Sequence, residues 1–134
     1  MRTRSVARDR FKVFLDRATE FMDSAHGSLS RHHHQAAASN AAHAAIAAVD
    51  AVTVFHAGKR SAPQRHEDAV HLLQTLGLPR SEVEPRARQL MRILGLKTKA
   101  EYTDELVTAR EAEDAVRTAE RIVAWARTQL PRVT

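Results

Sequence analysis

The chain of 134 residues contains no cysteine. A disulfide framework and a thiolate metal site are both excluded, and a reducing, cytoplasmic setting is expected. Glycine and proline number four each, which leaves few points at which a regular element can break. Aromatic residues make up only 4%. No apolar run approaches the length needed to cross a bilayer, so no membrane partner is expected. The basic N-terminus MRTRSVARDRFKVFLDR lacks the apolar centre of a secretory signal. At this length the chain reads as one domain over 1–134, large enough to enclose a hydrophobic core.

What is abundant is alanine, within a hydrophobic share of 43%. Alanine at this density without β-branched clusters predicts closely packed helices. Five segments can be drawn. The first runs from about Ser5 to Leu29, with Phe11, Phe14, Ala18, Met22 and Ala25 at helical spacing. Arg2, Arg4, Arg8, Arg10 and Lys12 crowd its start, where cations oppose the helix dipole, so that end should fray or be held by an acidic partner. The second spans about His33 to Ala57, with Gly58 placed as its C-terminal cap. The third follows Pro63, carries Ala69, Val70, Leu72, Leu73 and Leu76, and ends at Gly77-Leu78-Pro79. A fourth should open on the capping box Ser81 to Glu84, tolerate Pro85 in its first turn and stop at Gly95. A loop over Lys97–Val107 follows, and Thr108 with Glu111 caps the last helix. No segment reads as a strand. The expected architecture is all-α, an antiparallel up-and-down bundle of four to five helices.

Lysine and arginine outnumber the acids 21 to 16, for a net charge of +5. Such a surplus permits contact with phosphates without requiring it. The most informative stretch is Ser39 to Leu73. Asn40, His43 and Asp50 share a stripe of the second helix, and the basic turn beyond carries Arg60 and Ser61 before His66. That turn is too short to carry the third helix far away, so these residues should converge at one end of the bundle. The stripe is read in two ways, as a ligand site or as an interhelical hydrogen-bond network. Lys97 and Tyr102 are candidates for a phosphate and a base, although a tyrosine in such a place also anchors loops. His32, His33 and His34 diverge around a helix, and no specific metal site is expected of them.

The succession N-A-A-H-A-A-I-A-A-V-D-A, G-K-R-S-A-P-Q-R-H-E-D-A-V, K-T-K-A-E-Y and a capped final helix resembles the HEPN (higher eukaryotes and prokaryotes nucleotide-binding) superfamily, over roughly Val13 to Leu130. It is most similar to small stand-alone bacterial members. The resemblance implies a helical bundle that dimerises. Many members are metal-independent endoribonucleases of toxin–antitoxin or defence systems, using an Arg, a spacer of four to six residues and a His. Others bind nucleotides or partner proteins without catalysis. Arg60 and His66 match that spacer, as do Arg65 and His71. In the ribonuclease members the motif lies near the last long helix, whereas Arg60 and His66 precede the third, and no histidine follows His71.

If the pair is catalytic, His66 exchanges protons with a ribose 2′-hydroxyl and Arg60 holds the phosphate oxygens through its planar fork. If it is structural, Arg60 caps the second helix and His66 packs at the start of the third. The expected partners are therefore a second copy of the chain, RNA or a nucleotide, and a cognate antitoxin, with no cofactor. The alternative is a non-catalytic helical module binding a nucleotide or a partner protein. Alanine-lined faces that a second copy would cover are a further reason to expect a homodimer.

Overall fold

A computed structural model describes residues 1–62 and 65–132. Five helices form an all-α bundle: α1 (Phe11–Ser30), α2 (His34–Ala57), α3 (Glu67–Gln74), α4 (Arg80–Tyr102) and α5 (Ala109–Thr128). The expected start of the third helix at Pro63 lies outside the described residues.

α2 is the central rod. Alanine has the highest helix propensity and the smallest side chain after glycine, so a helix lined with it on several sides admits several neighbours at close range. Ala37, Ala41, Ala44, Ala48 and Ala51 are fully buried, and α1, α5 and α4 pack on this helix in descending extent. Leu73 of α3, Leu90 and Ile93 of α4 and Ile122 of α5 supply the bulk that alanine lacks. This packing corrects one expectation. The alanine faces are covered within the chain and offer no surface to a second copy. It corrects another as well: α2 is long and apolar enough to cross a membrane, but 78% of its apolar window is buried in the bundle.

The N-terminus departs from expectation. α1 begins at Phe11 rather than Ser5, after a 3-10 turn at Arg8–Arg10. Before that turn Thr3–Ser5 (β1) pairs antiparallel with Lys59–Ser61 (β2). Gly58 explains the ladder. Its left-handed backbone (φ 65°) ends α2 with its N–H on the Val54 carbonyl, as expected of the cap, and throws the chain into an extended strand. The Asp68 carboxylate accepts the Arg2 backbone N–H at 2.9 Å, which ties the segment down without pairing its cations.

α4 also differs. It starts at Arg80 behind Pro79 with no side-chain cap, so the Ser81–Glu84 box is not used and Pro85 falls inside the helix. The carbonyl that Pro85 cannot bond is that of Ser81, which is exposed to water. The helix passes Gly95 and absorbs the expected loop through Tyr102. One exposed glycine costs about 1 kcal/mol relative to alanine, and the Lys97–Glu101 pair one turn apart helps offset it. The Thr108–Glu111 box is present at the start of α5.

Candidate functional site

His43 and Asp50 on α2, Arg60 and Ser61 in the strand beyond it and His66 at the start of α3 form two linked groups.

The inner group surrounds Asp50, which is 5% exposed. Burial pushes its pKa up to about 7, against the pull of Arg60, Ser61 and Arg17. Ser61 is close enough to act on the carboxyl electrostatically. Yet neither Asp50 Oδ1 nor Ser61 Oγ completes a hydrogen bond among the described residues. The Arg60 and Arg17 guanidinium carbons each lie 5.1 Å from the centre of the Phe14 ring, which both cations share.

The outer group joins α1, α2, α3 and α4. The His43 ring stacks on Phe21 of α1 at 5.2 Å and meets the His66 ring edge-on at 6.5 Å. From α4, Glu101 reaches His43 Nε2 at 3.5 Å and Lys97 Nζ at 3.1 Å. Burial opposes charge on Glu101, but hydrogen bonds from Ser39 and Lys97 outweigh it and hold this carboxyl low. His43 is lowered below 6.5 first by burial, then by Lys97, with Glu101 partly opposing. His66 is lowered by burial, Lys97 and His43, with a smaller contribution from Arg60. Both rings are therefore neutral at pH 7, and His66 Nδ1 is buried without a hydrogen-bond partner among the described residues.

A cleft of about 570 Å³ opens on this group, lined by His66, Met91, Leu94, Lys97, Thr98 and Tyr102 among others. Lys97 is 8% exposed and Tyr102 is 73% exposed, with the ammonium 5.3 Å from the ring centre. The cleft thus presents a neutral imidazole, a cation held by a carboxylate and an aromatic face at its mouth, with the Glu67 carboxylate beside His66 on the same lining. Such a set suits a phosphate joined to a nucleobase.

Not every candidate joins it. Arg60 acts on both Asp50 and His66 and is the link between the groups, but it does not line the cleft. Asn40 shares the stripe one turn before His43, yet its side chain makes no hydrogen bond among the described residues. Ser39, Phe21, Glu101 and Met91 belong to the site and carried no role in the sequence reading. For Glu101 a signal existed, since it stands four residues beyond Lys97 and helical spacing would pair them. Among the described residues no cluster of three metal-ligating side chains occurs.

The sequence model of the HEPN domain matches residues 11–129, and the chain belongs to that family. The structure is similar to the crystal structure of TT1696 from Thermus thermophilus, with a TM-score of 0.71 and 24% identity over 90% of this chain and 98% of that one. At that identity the likeness establishes the fold. No curated protein matches the sequence.

Proposed function

We propose that this HEPN-domain chain is a metal-independent endoribonuclease of toxin–antitoxin or defence type, acting at the His66 cleft. The observation that carries the reading is the juxtaposition in one cleft of a neutral His66, whose Nδ1 has no partner among the described residues, and the buried ammonium of Lys97. RNA holds its own nucleophile in the ribose 2′-hydroxyl, so cleavage needs a base and charge stabilisation rather than an activated water. His66 takes the hydroxyl proton. Lys97 faces the oxygens of the phosphate as negative charge builds on them. Tyr102 offers its face to the flanking base. The leaving 5′-oxygen takes a proton from water at the mouth, and the products are a 2′,3′-cyclic phosphate and a 5′-hydroxyl. Arg60 acts at one remove, keeping His66 neutral and balancing Asp50. A second copy of the chain and an acidic antitoxin are the partners that accompany this reading.

One observation favours the second reading, a nucleotide-binding module without catalysis. The arginine of the Arg–His motif rests on Phe14 instead of facing the cleft. Incubation of the purified chain with RNA in chelator decides between them. Cleavage that disappears in His66→Ala supports the ribonuclease. Saturable binding of a mononucleotide, abolished by Lys97→Ala in a protein that cuts no RNA, supports the module.

A further inference from the structure

We infer that the two-stranded ladder beside the cleft is a docking surface for the sugar-phosphate backbone of RNA, one that rests on the RNA reading of the cleft and leads the strand into it. In the antiparallel register Arg4 stands opposite Arg60, and Ser5 opposite Lys59. Like charges facing each other across a ladder destabilise it, and this ladder has only three residues in each strand. The N-terminal segment then folds over the end of α2. The Val6 N–H donates to the Gly58 carbonyl at 2.9 Å, and a Cβ on Gly58 would lie 3.7 Å from Arg8 Cγ. Arg8 is thereby laid against the junction from which Lys59 projects, while the Arg60 guanidinium turns in onto Phe14.

Between positions 2 and 12 the chain carries five cations and a single acid, Asp9. None of these cations, nor Lys59 or Arg60, makes an ion pair among the described residues. Elsewhere the contrast is plain: Arg92, Lys97 and Lys99 each meet a carboxylate. Repulsion concentrated on a three-residue ladder is relieved by a bound polyanion.

Continuity with the cleft selects RNA over an acidic polypeptide. The Ala62 N–H donates to the Arg2 carbonyl at 3.3 Å, and the Arg2 N–H donates to Asp68 at 2.9 Å. His66 lies between those two anchors in the chain. β2 packs against α3, and Arg60 is near enough to His66 to act on its ring, so a strand held on the ladder would enter the cleft at His66. A stacking face beside a cation serves a nucleobase and has no use for a run of carboxylates.

The test uses the full chain carrying His66→Ala, so that binding is read without cleavage. The probe is a short fluorescein-labelled single-stranded RNA, titrated over a series of salt concentrations. Combining Arg4→Gln, Arg8→Gln and Arg10→Gln should weaken binding on the order of tenfold or more. It should also lower the slope of log affinity against log salt by roughly 2, at about 0.7 for each single-strand phosphate contact. The same three positions changed to Lys should retain most of both, which separates lost charge from damaged folding. Unchanged affinity and slope in the Gln variant would overturn the surface, as would a polyglutamate probe that binds the ladder in place of RNA. Cleavage by the parent that ignores the three Gln changes also sinks the surface and spares the ribonuclease. Ladder-dependent RNA binding by a parent that never cuts sinks the ribonuclease and spares the surface.

Discussion

The first turns of α2 and the region where α2 ends are built from one continuous helix, yet they handle burial in opposite ways. From Ala37 to Ala48 the helix contributes small apolar side chains, fully buried at Ala37, Ala41, Ala44 and Ala48. The polar side chains on that stretch, Ser39, Asn40 and His43, sit on its half-buried edge, where Ser39 and His43 meet Glu101. From Asp50 onward the same burial encloses polar atoms, and Asp50 Oδ1, Ser61 Oγ and His66 Nδ1 find no hydrogen-bond partner among the described residues. A protein interior ordinarily pairs such groups, because leaving one unmet costs about 1–3 kcal/mol. The difference teaches that the alanine half is selected for close packing, and that the polar end is held in place by it at a cost in stability. Departures from packing rules gather where chemistry is done.

The sharpest way to break this contrast is His66→Ala. If the polar end is functional, RNA cleavage in chelator falls by about 10²- to 10⁴-fold, while the melting temperature hardly moves, because His66 is only half-buried. A drop of many degrees in a parent that cuts no RNA would make the polar end structural. In the active parent, cleavage lost on acidification should have its midpoint below 6.5, since burial and Lys97 both disfavour the imidazolium of His66.

The opposite effect is expected of Ala48→Leu. With no exposed surface at this position, three added carbons must displace a neighbouring helix, at a cost of about 1–3 kcal/mol in urea unfolding. A neutral result would mean that the alanine face is loosely packed and that the contrast is false.

Asp50 tests the polar end by linkage. Its folded pKa of about 7 lies above its ordinary value of 3.8. The carboxyl's contribution to stability is therefore complete below about pH 4 and is lost as the pH rises through about 7. Glu101, lowered by its partners, works in the other direction, so the comparison must be made between parent and variant. Asp50→Asn should gain melting temperature relative to the parent between pH 5 and pH 8. A difference that stays constant with pH would show that Asp50 is ionised and satisfied in the folded chain.

The smallest change belongs to neither region and serves as a reference. Thr108→Ala removes the capping-box acceptor of the Glu111 N–H at 3.1 Å and should cost about 1 kcal/mol in chemical denaturation, without altering RNA cleavage. Loss of cleavage in that variant would mean that the α4–α5 connection also shapes the cleft.

Much of this was legible in advance. The alanine periodicity of α2, the cap at Gly58 and the box at Thr108 all follow from local spacing, which needs no knowledge of where distant segments meet. The ladder was not legible, because three exposed residues at Thr3–Ser5 carry no alternation and become a strand only when Lys59–Ser61 lies beside them. The continuation of α4 through Gly95 was missed for a related reason. A single glycine marks a stop only if the residues beyond it gain nothing from helix, and here Lys97 and Glu101 gain a partner by staying helical. In the site, His43, Asp50, Arg60 and His66 were candidates by residue type and separation. Phe21, which holds His43 from α1, lacked any such mark, and Glu101, which holds it from α4, was marked only by its helical spacing from Lys97.

The sequence by itself therefore determined the helical class, the extent of α2 and a polar cluster near its end, because propensity, period and short turns act over a few residues. Only the tertiary structure decided which cation faces His66. Arg60 is near it in sequence but rests on Phe14, whereas Lys97, 31 positions away in the chain, lines the cleft with it. The physical reason lies in packing. Phe14 offers a guanidinium a ring on which to settle beside buried Asp50, while α4 crosses α2 so that a lysine and a glutamate one turn apart meet both histidines. Neither fact has a local signature, and both depend on helices brought together by the alanine core.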